Sequence, residues 1–182
     1  SLSDRAILDA VCRAHDASFY QAMRSNLAGL APHEVARDLE GVDLPRLFAD
    51  AAPAATIAVR HTVGLVDPII ASDLAPDDRV GDGLPETLEE VVATYANRYF
   101  KIKGGGDADA DIERLARIAG VLDRIAEPYF VTLDGNEQYA DADGIAAFYR
   151  RVDETPALKR LAASILYVEQ PINRKEALAR PV

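Results

Sequence analysis

The chain has a single cysteine, a single methionine, three histidines and no tryptophan, and aromatic residues make up only 7% of its 182 residues. One cysteine, Cys12, excludes an internal disulfide and so gives no sign of an oxidising compartment. Cys12 shares a helical pattern with Leu8 and reads as a small buried hydrophobe rather than a nucleophile. His15, His33 and His61 are scattered along the chain and form no Cys/His metal cluster. No apolar run approaches the roughly 18 residues of a membrane span, and no charged-then-apolar leader opens the sequence. Positive charge is also scarce, since 20 Lys and Arg stand against 30 Asp and Glu for a net charge of -10. That balance argues against non-specific nucleic-acid binding and against an anionic membrane surface, both of which need clustered cations. The expectation is a soluble, cytoplasmic protein with neither nucleic acid nor membrane as partner.

What is present is an apolar fraction of 49%, enough in a chain of this length for a domain with its own core. Ser3 can cap a helix over residues 3–22, whose apolar positions Ile7, Val11 and Ala14 recur at helical spacing. Residues 28–54 read as short helices broken by Pro32, Gly41, Pro45 and Pro53. From about Thr56 the pattern changes, because Ile57, Val59 and Val63 alternate as a strand does. A loop rich in Asp, Pro and Gly runs to Gly83. Pro85 then suits the first turn of a helix carrying Leu88, Val91, Val92 and Tyr95, with Glu86, Glu89 and Glu90 near its positive end. The same grammar repeats twice. Residues 99–103 form a strand, and Asp107 begins a helix with Ile112, Leu115, Ile118, Leu122 and Ile125 on one face. Residues 130–134 form a strand, followed by a helix with Ile145, Phe148 and Val152, and residues 164–169 form a fourth strand.

Strands after the first start about thirty to thirty-five residues apart with a helix between, the spacing of parallel β-α-β crossovers. Alternate strand residues face opposite sides of the sheet. Phe100, Ile102, Val131, Leu133, Leu166 and Val168 share the apolar parity and are expected under the helices. Lys101, Lys103, Asp134 and Glu169 share the other. An open doubly wound sheet would be apolar on both faces, which leaves inward lysines without an explanation. A closed barrel puts that parity inside, at the C-terminal mouth where barrel enzymes place their chemistry. The expected fold is therefore α/β, the N-terminal half of a TIM-type (β/α) barrel over residues 55–182, preceded by a helical segment over residues 1–54.

Carboxylates at equal heights on neighbouring strands, about 4.8 Å apart, can share one cation. Asp134 and Glu169 are hard oxygen donors that suit magnesium, or manganese, better than zinc. Lys101 and Lys103 point the same way from one strand, and each disfavours charge on the other. A lysine with a lowered pKa beside a metal can remove a weakly acidic proton, while the metal holds the charge that develops on a substrate oxygen. Asp134-Gly135 could instead be a hairpin turn, yet the segment after it, Glu137-Gln138-Tyr139-Ala140-Asp141, is too polar to return as a buried strand. Gly104-Gly105-Gly106 before a helix invites a phosphate cradle, but it fits neither the P-loop nor the dinucleotide fingerprint, and a flexible strand exit is expected. His61 falls on the apolar parity and reads as structural, whereas Arg60 and Thr62 face inward and can touch a ligand.

The motifs Phe100-Lys101-Ile102-Lys103, Thr132-Leu133-Asp134-Gly135-Asn136 and Val168-Glu169-Gln170-Pro171, in that order and spacing, resemble successive strand-end motifs of the enolase superfamily. The resemblance is to its mandelate racemase and muconate lactonizing enzyme branches, from about Ala55 onward. The first helix resembles the last part of that family's capping domain. The resemblance implies that Asp134 and Glu169 bind Mg2+, with Mn2+ possible. It makes Lys103 the general base, with Lys101 tuning it or touching the substrate carboxylate, and it places Asn136 near the substrate. The implied activity is a racemase, isomerase or lyase that abstracts the α-proton of a small carboxylate through a metal-stabilised enediolate. The family's third metal ligand and opposite-face catalytic group have no counterpart here, so the expectation includes completion by the remainder of a barrel or by a homo-oligomer. The competing expectation is a non-catalytic half-barrel that serves as a scaffold or oligomerising module. A phosphosugar-binding barrel using Gly104 to Gly106 is a third.

Overall fold

A computed structural model describes residues 1–177. The chain divides into two compact units, Ser1–Ile57 and Ala58–Val182. The first is helical: α1 (Leu2–Ala14), α2 (Phe19–Arg24), two 3-10 turns and the short α3 (Leu44–Leu47). The cap of α1 is Ser1 rather than Ser3, because the Ser1 side chain accepts the Asp4 amide while Asp4 reaches back. The expected single helix over residues 3–22 is two helices. The backbone turns left-handed at Asp16 (φ 48°), and Ser18 then opens α2 through a second capping box with Gln21. That Ser-x-x-Gln signal stood in the sequence.

The second unit contains β1 (Arg60–Val63), α4 (Leu88–Tyr95), β2 (Tyr99–Lys103), α5 (Ala108–Leu122), β3 (Phe130–Asp134), α6 (Ala142–Glu154), α7 (Lys159–Ala163), β4 (Ile165–Glu169) and α8 (Arg174–Ala177). The strands form one parallel sheet in the order β1-β2-β3-β4, so each β-α unit adds the next strand on the same side of its predecessor. β1 is shorter than its apolar alternation suggests: Ile57 and Val59 precede it and are exposed. α4 begins after Thr87, whose side chain accepts the Glu90 amide, so Pro85 lies ahead of the helix rather than in its first turn.

One apolar core lies on one face of the sheet. Phe100, Ile102, Val131 and Leu133 are buried there with Leu115, Ile118 and Leu122 of α5 and Phe148 and Val152 of α6. Each such side chain removed from water contributes about 1.5–3 kcal/mol. His61 belongs to this face, edge-on to Phe100 at 6.5 Å. Burial holds its pKa below the ordinary value, against the charge of Asp67. Leu166 does not join the core. Val131 pairs with Ile165 and Thr132 with Tyr167, so the ladder skips Leu166 and leaves it 55% exposed while Val168 packs inward. An extra residue of this kind is left out of the ladder, which is locally disrupted there, and the alternation resumes beyond it. Among the described residues no helix is long and apolar enough to cross a membrane.

Candidate functional site

The sheet register sets the height of every side chain on the face opposite the core. Arg60, Tyr99 and Phe130 lie level at the bottom, with the Tyr99 and Phe130 rings stacked at 5.3 Å. Thr62, Lys101, Thr132 and Tyr167 form the next row, and Lys103, Asp134 and Glu169 the row at the strand ends. The face thus carries its stacked aromatic pair at the bottom and its acids at the strand ends.

Lys101, Asp134, Glu169 and Arg60 form one network. Lys101 Nζ lies 2.8 Å from Asp134 Oδ2 and 2.9 Å from Glu169 Oε2. Arg60 Nη1 donates to Thr132 Oγ1 at 2.9 Å, to Glu169 Oε1 at 3.1 Å and to the Tyr167 hydroxyl at 3.3 Å. Thr132 Oγ1 in turn donates to Glu169 Oε1 at 3.2 Å. Asp134 is 3% exposed, so its charge depends on these partners. Burial pushes its pKa up, but the Lys101 hydrogen bond, the Asn136 amide and the charges of Lys101 and Lys103 together hold it below the ordinary carboxylate value. Glu169 follows the same pattern: burial opposes ionisation, while Lys101, the Thr132 hydroxyl and Arg60 outweigh it and lower its pKa. The hydrogen bonds to Asp134 and Glu169 raise Lys101. The expectation of two mutually repelling lysines therefore fails at Lys101, which is held as a cation by two acids. Lys103 shares the rim row with Asp134, and no hydrogen bond or ion pair engages its ammonium among the described residues.

The loops leaving the strands are stitched together. The Gly104 amide donates to the Asp134 carbonyl at 2.8 Å, the Gly135 amide to that of Glu169 at 2.9 Å, and the Glu137 amide to that of Gln170 at 2.7 Å. The Asn136 side chain donates to the Gly104 carbonyl at 3.1 Å, and its backbone amide to Asp134 Oδ1 at 3.0 Å. Asn136 thus fastens the β2 and β3 exits in this structure. Asn136, Glu137 and Gln170 all have positive φ (48°, 62° and 45°), a conformation that non-glycine residues rarely adopt outside constrained sites.

The Gly104-Gly105-Gly106 exit is held rather than flexible. Asp111 Oδ1 accepts the Gly105 amide at 2.8 Å, and Asp111 Oδ2 accepts the Gly106 amide at 2.9 Å. A buried side-chain carboxylate of α5 occupies the donors a phosphate would need, which removes the phosphate-cradle reading. Asp111 is not singled out by the sequence pattern, and neither are Thr132 and Tyr167. The latter two carried a signal, each lying two residues before a rim acid and therefore on its face. Asp111 carried none, because an acid in the first turn of a helix ordinarily answers the helix dipole.

Asp134 and Glu169 are paired in register on adjacent strands, and both are hard donors. In donor type and height they fit a magnesium-like cation, and their convergence on the Lys101 ammonium shows that one positive centre can be shared between them. The described residues contain no cluster of three or more His, Cys, Asp or Glu side chains able to hold a metal. Comparison with protein-family models, with curated proteins and with solved structures found no match.

Proposed function

We propose that this chain carries part of the active site of an enolase-superfamily-type barrel enzyme, which removes the α-proton of a small carboxylate. The observation that carries this reading is the shared rim, where a lysine stands beside two register-matched acids and next to a second lysine with no ion-pair partner among the described residues. The barrel is supported by the sequential strand order and the one-sided core. It is also supported by Arg60, which reaches Glu169 across two intervening strands. In a flat sheet β1 and β4 lie about 14 Å apart at 4.8 Å per strand, and the two residues also differ in height by about 13 Å at 3.3 Å per residue. Arginine and glutamate side chains cannot span that diagonal, so the sheet bends toward its polar face.

Arg60, Lys101 and Lys103 on this face exceed Asp134 and Glu169 by one positive charge, in a chain whose net charge is -10. An anionic carboxylate is drawn there and repelled elsewhere. Lys103, at the outer end of β2, takes the proton. Lys101 remains protonated and holds the acids in place, and Arg60 orients Glu169 from below. A divalent cation held by Asp134 and Glu169 would supply positive charge where the substrate oxygen becomes negative. Such an ion would compete with Lys101 for those two carboxylates.

That competition also favours a second reading, in which the network is complete as it stands and the chain is a non-catalytic scaffold or oligomerising module. Two measurements separate them. Under the enzymatic reading the chain by itself is expected to be inactive, whereas 2-hydroxy carboxylates incubated in D2O with Mg2+ and the completed barrel gain deuterium at the α-carbon, and Lys103→Ala abolishes the uptake. Uptake undiminished in Lys103→Ala removes that lysine as the base. If neither deuterium uptake by the parent protein in the completed barrel nor Mn2+ binding, as read by its paramagnetic resonance signal, is seen, the scaffold reading stands.

A further inference from the structure

Beneath the strand exits, between the sheet and α5, lies a small cavity with room of about 20 Å3 for the centre of a water molecule. Leu115, Leu133 and Phe148 supply apolar wall, while Asp111, Arg114 and Tyr139 bring polar groups to it. Two polar atoms of these residues, Arg114 Nε and the Tyr139 hydroxyl, are buried with no hydrogen-bond partner among the described residues. Neither side chain is free to turn toward solvent. Arg114 is anchored through Nη2 to the Gly64 carbonyl at 2.6 Å and the Asp67 carbonyl at 2.9 Å. Tyr139 is 8% exposed, and its backbone is pinned by an amide bond to the Pro171 carbonyl at 3.1 Å and a bridge to Ile172.

Native interiors rarely leave a buried donor or acceptor unpaired. A cavity needs roughly 10–15 Å3 of such room, and two to four polar partners, to hold a water. This one has the room for a single molecule, and Arg114 and Tyr139 among its lining residues carry the two unpartnered atoms. Arg114 Nε can only donate, and the tyrosine hydroxyl can donate and accept. A water can therefore accept from Nε, bond to the hydroxyl, and turn its remaining hydrogen toward the carboxylate of Asp111.

We propose that this cavity is a binding site for one internal water, held by Arg114 Nε and the Tyr139 hydroxyl. The site links the strand exits through their anchors. Arg114 grips the β1 exit at Gly64 and Asp67, Asp111 the β2 exit at Gly105 and Gly106, and Tyr139 the β4 exit at Pro171. Lys103 and Asp134 of the rim also line this cavity, but the proposal uses neither as a partner of the water.

A crystal structure of the chain tests it directly: a single ordered density peak within hydrogen-bonding reach of both atoms is expected, and a cavity without density overturns the proposal. Tyr139→Phe gives a second, thermodynamic readout. Removing one partner of a bound water lowers the unfolding midpoint, by about 2–4 °C for a chain of this size. Removing a hydroxyl that had no partner would leave the midpoint unchanged or raise it, and either result counts against the water.

Discussion

Lys101 stands where two carboxylates converge, and the ionisation of all three groups is tied together. Asp134 and Glu169 have folded pKa values below their ordinary 3.8 and 4.5, so the stability they contribute is present above those values and is lost as pH falls through the folded ones. Lys101 has a folded pKa above its ordinary 10.5, so its contribution is complete below that value and is lost as pH rises through the folded one. Stability should therefore fall at both acid and alkaline extremes, with the contribution of this network intact between. Lys101→Met removes the shared cation and leaves a buried carboxylate with one fewer partner, at a cost of about 1–3 kcal/mol near neutral pH. Urea denaturation across pH should show the variant with a smaller acid-limb loss and a smaller alkaline one. Parallel profiles for variant and parent would mean that the ion pairs contribute nothing. The rim position of these residues was legible, because period-two alternation and strand-end placement need only the sequence. Which partner each cation takes was not, since it depends on how far Arg60 and Lys101 reach across neighbouring strands.

Among the elements, β2 and β3 agree with the sequence pattern residue for residue, and the differences lie where one local signal competes with another. β4 is the clearest case. Within residues 164–169, positions 165–168 form an unbroken apolar run followed by an acid, and nothing in such a run announces that the ladder passes over Leu166. The skip preserves what matters on both faces, Val168 inside and Glu169 at the rim. Leu166→Ser is accordingly expected to change stability by no more than about 0.5 kcal/mol, the usual range for an exposed site. Leu133→Ala, at a position 6% exposed, should cost about 2–5 kcal/mol. Comparable losses at the two positions, measured by denaturant unfolding, would show that Leu166 packs after all. The split of the first helix has a similar origin. Ile7, Val11 and Ala14 fit one helical stripe, but a capping box at Ser18 outranks a continued stripe once Asp16 turns the backbone.

Across the whole molecule, the helical Ser1–Ile57 unit and the α/β unit after it differ in how they are stabilised. Cys12 and Ala22 are the buried apolar residues of the first, whereas the second encloses a continuous core from Val63 to Leu161. The α/β class and the parallel order were readable because crossover spacing and strand parity are properties of the chain alone. The anchoring of the rim from below was not, because Arg114 and Tyr139 bond to loops far away in sequence, and Asp111, although close to Gly105 and Gly106, sits where an acid ordinarily answers the helix dipole.

The clasp of Asp111 on Gly105 and Gly106 gives the strand exit an unusual place in the hierarchy of local opening. Amides in a glycine-rich turn ordinarily exchange with solvent almost freely, yet these two are held by the buried Asp111 carboxylate in the first turns of α5. Their hydrogen–deuterium exchange should follow that of α5 rather than that of the neighbouring loops. In Asp111→Asn, which keeps one acceptor oxygen, at least one of the two should become fast while the amides of β2 stay slow. Two glycines beside the rim would then serve as native reporters of how often the helix beneath it detaches.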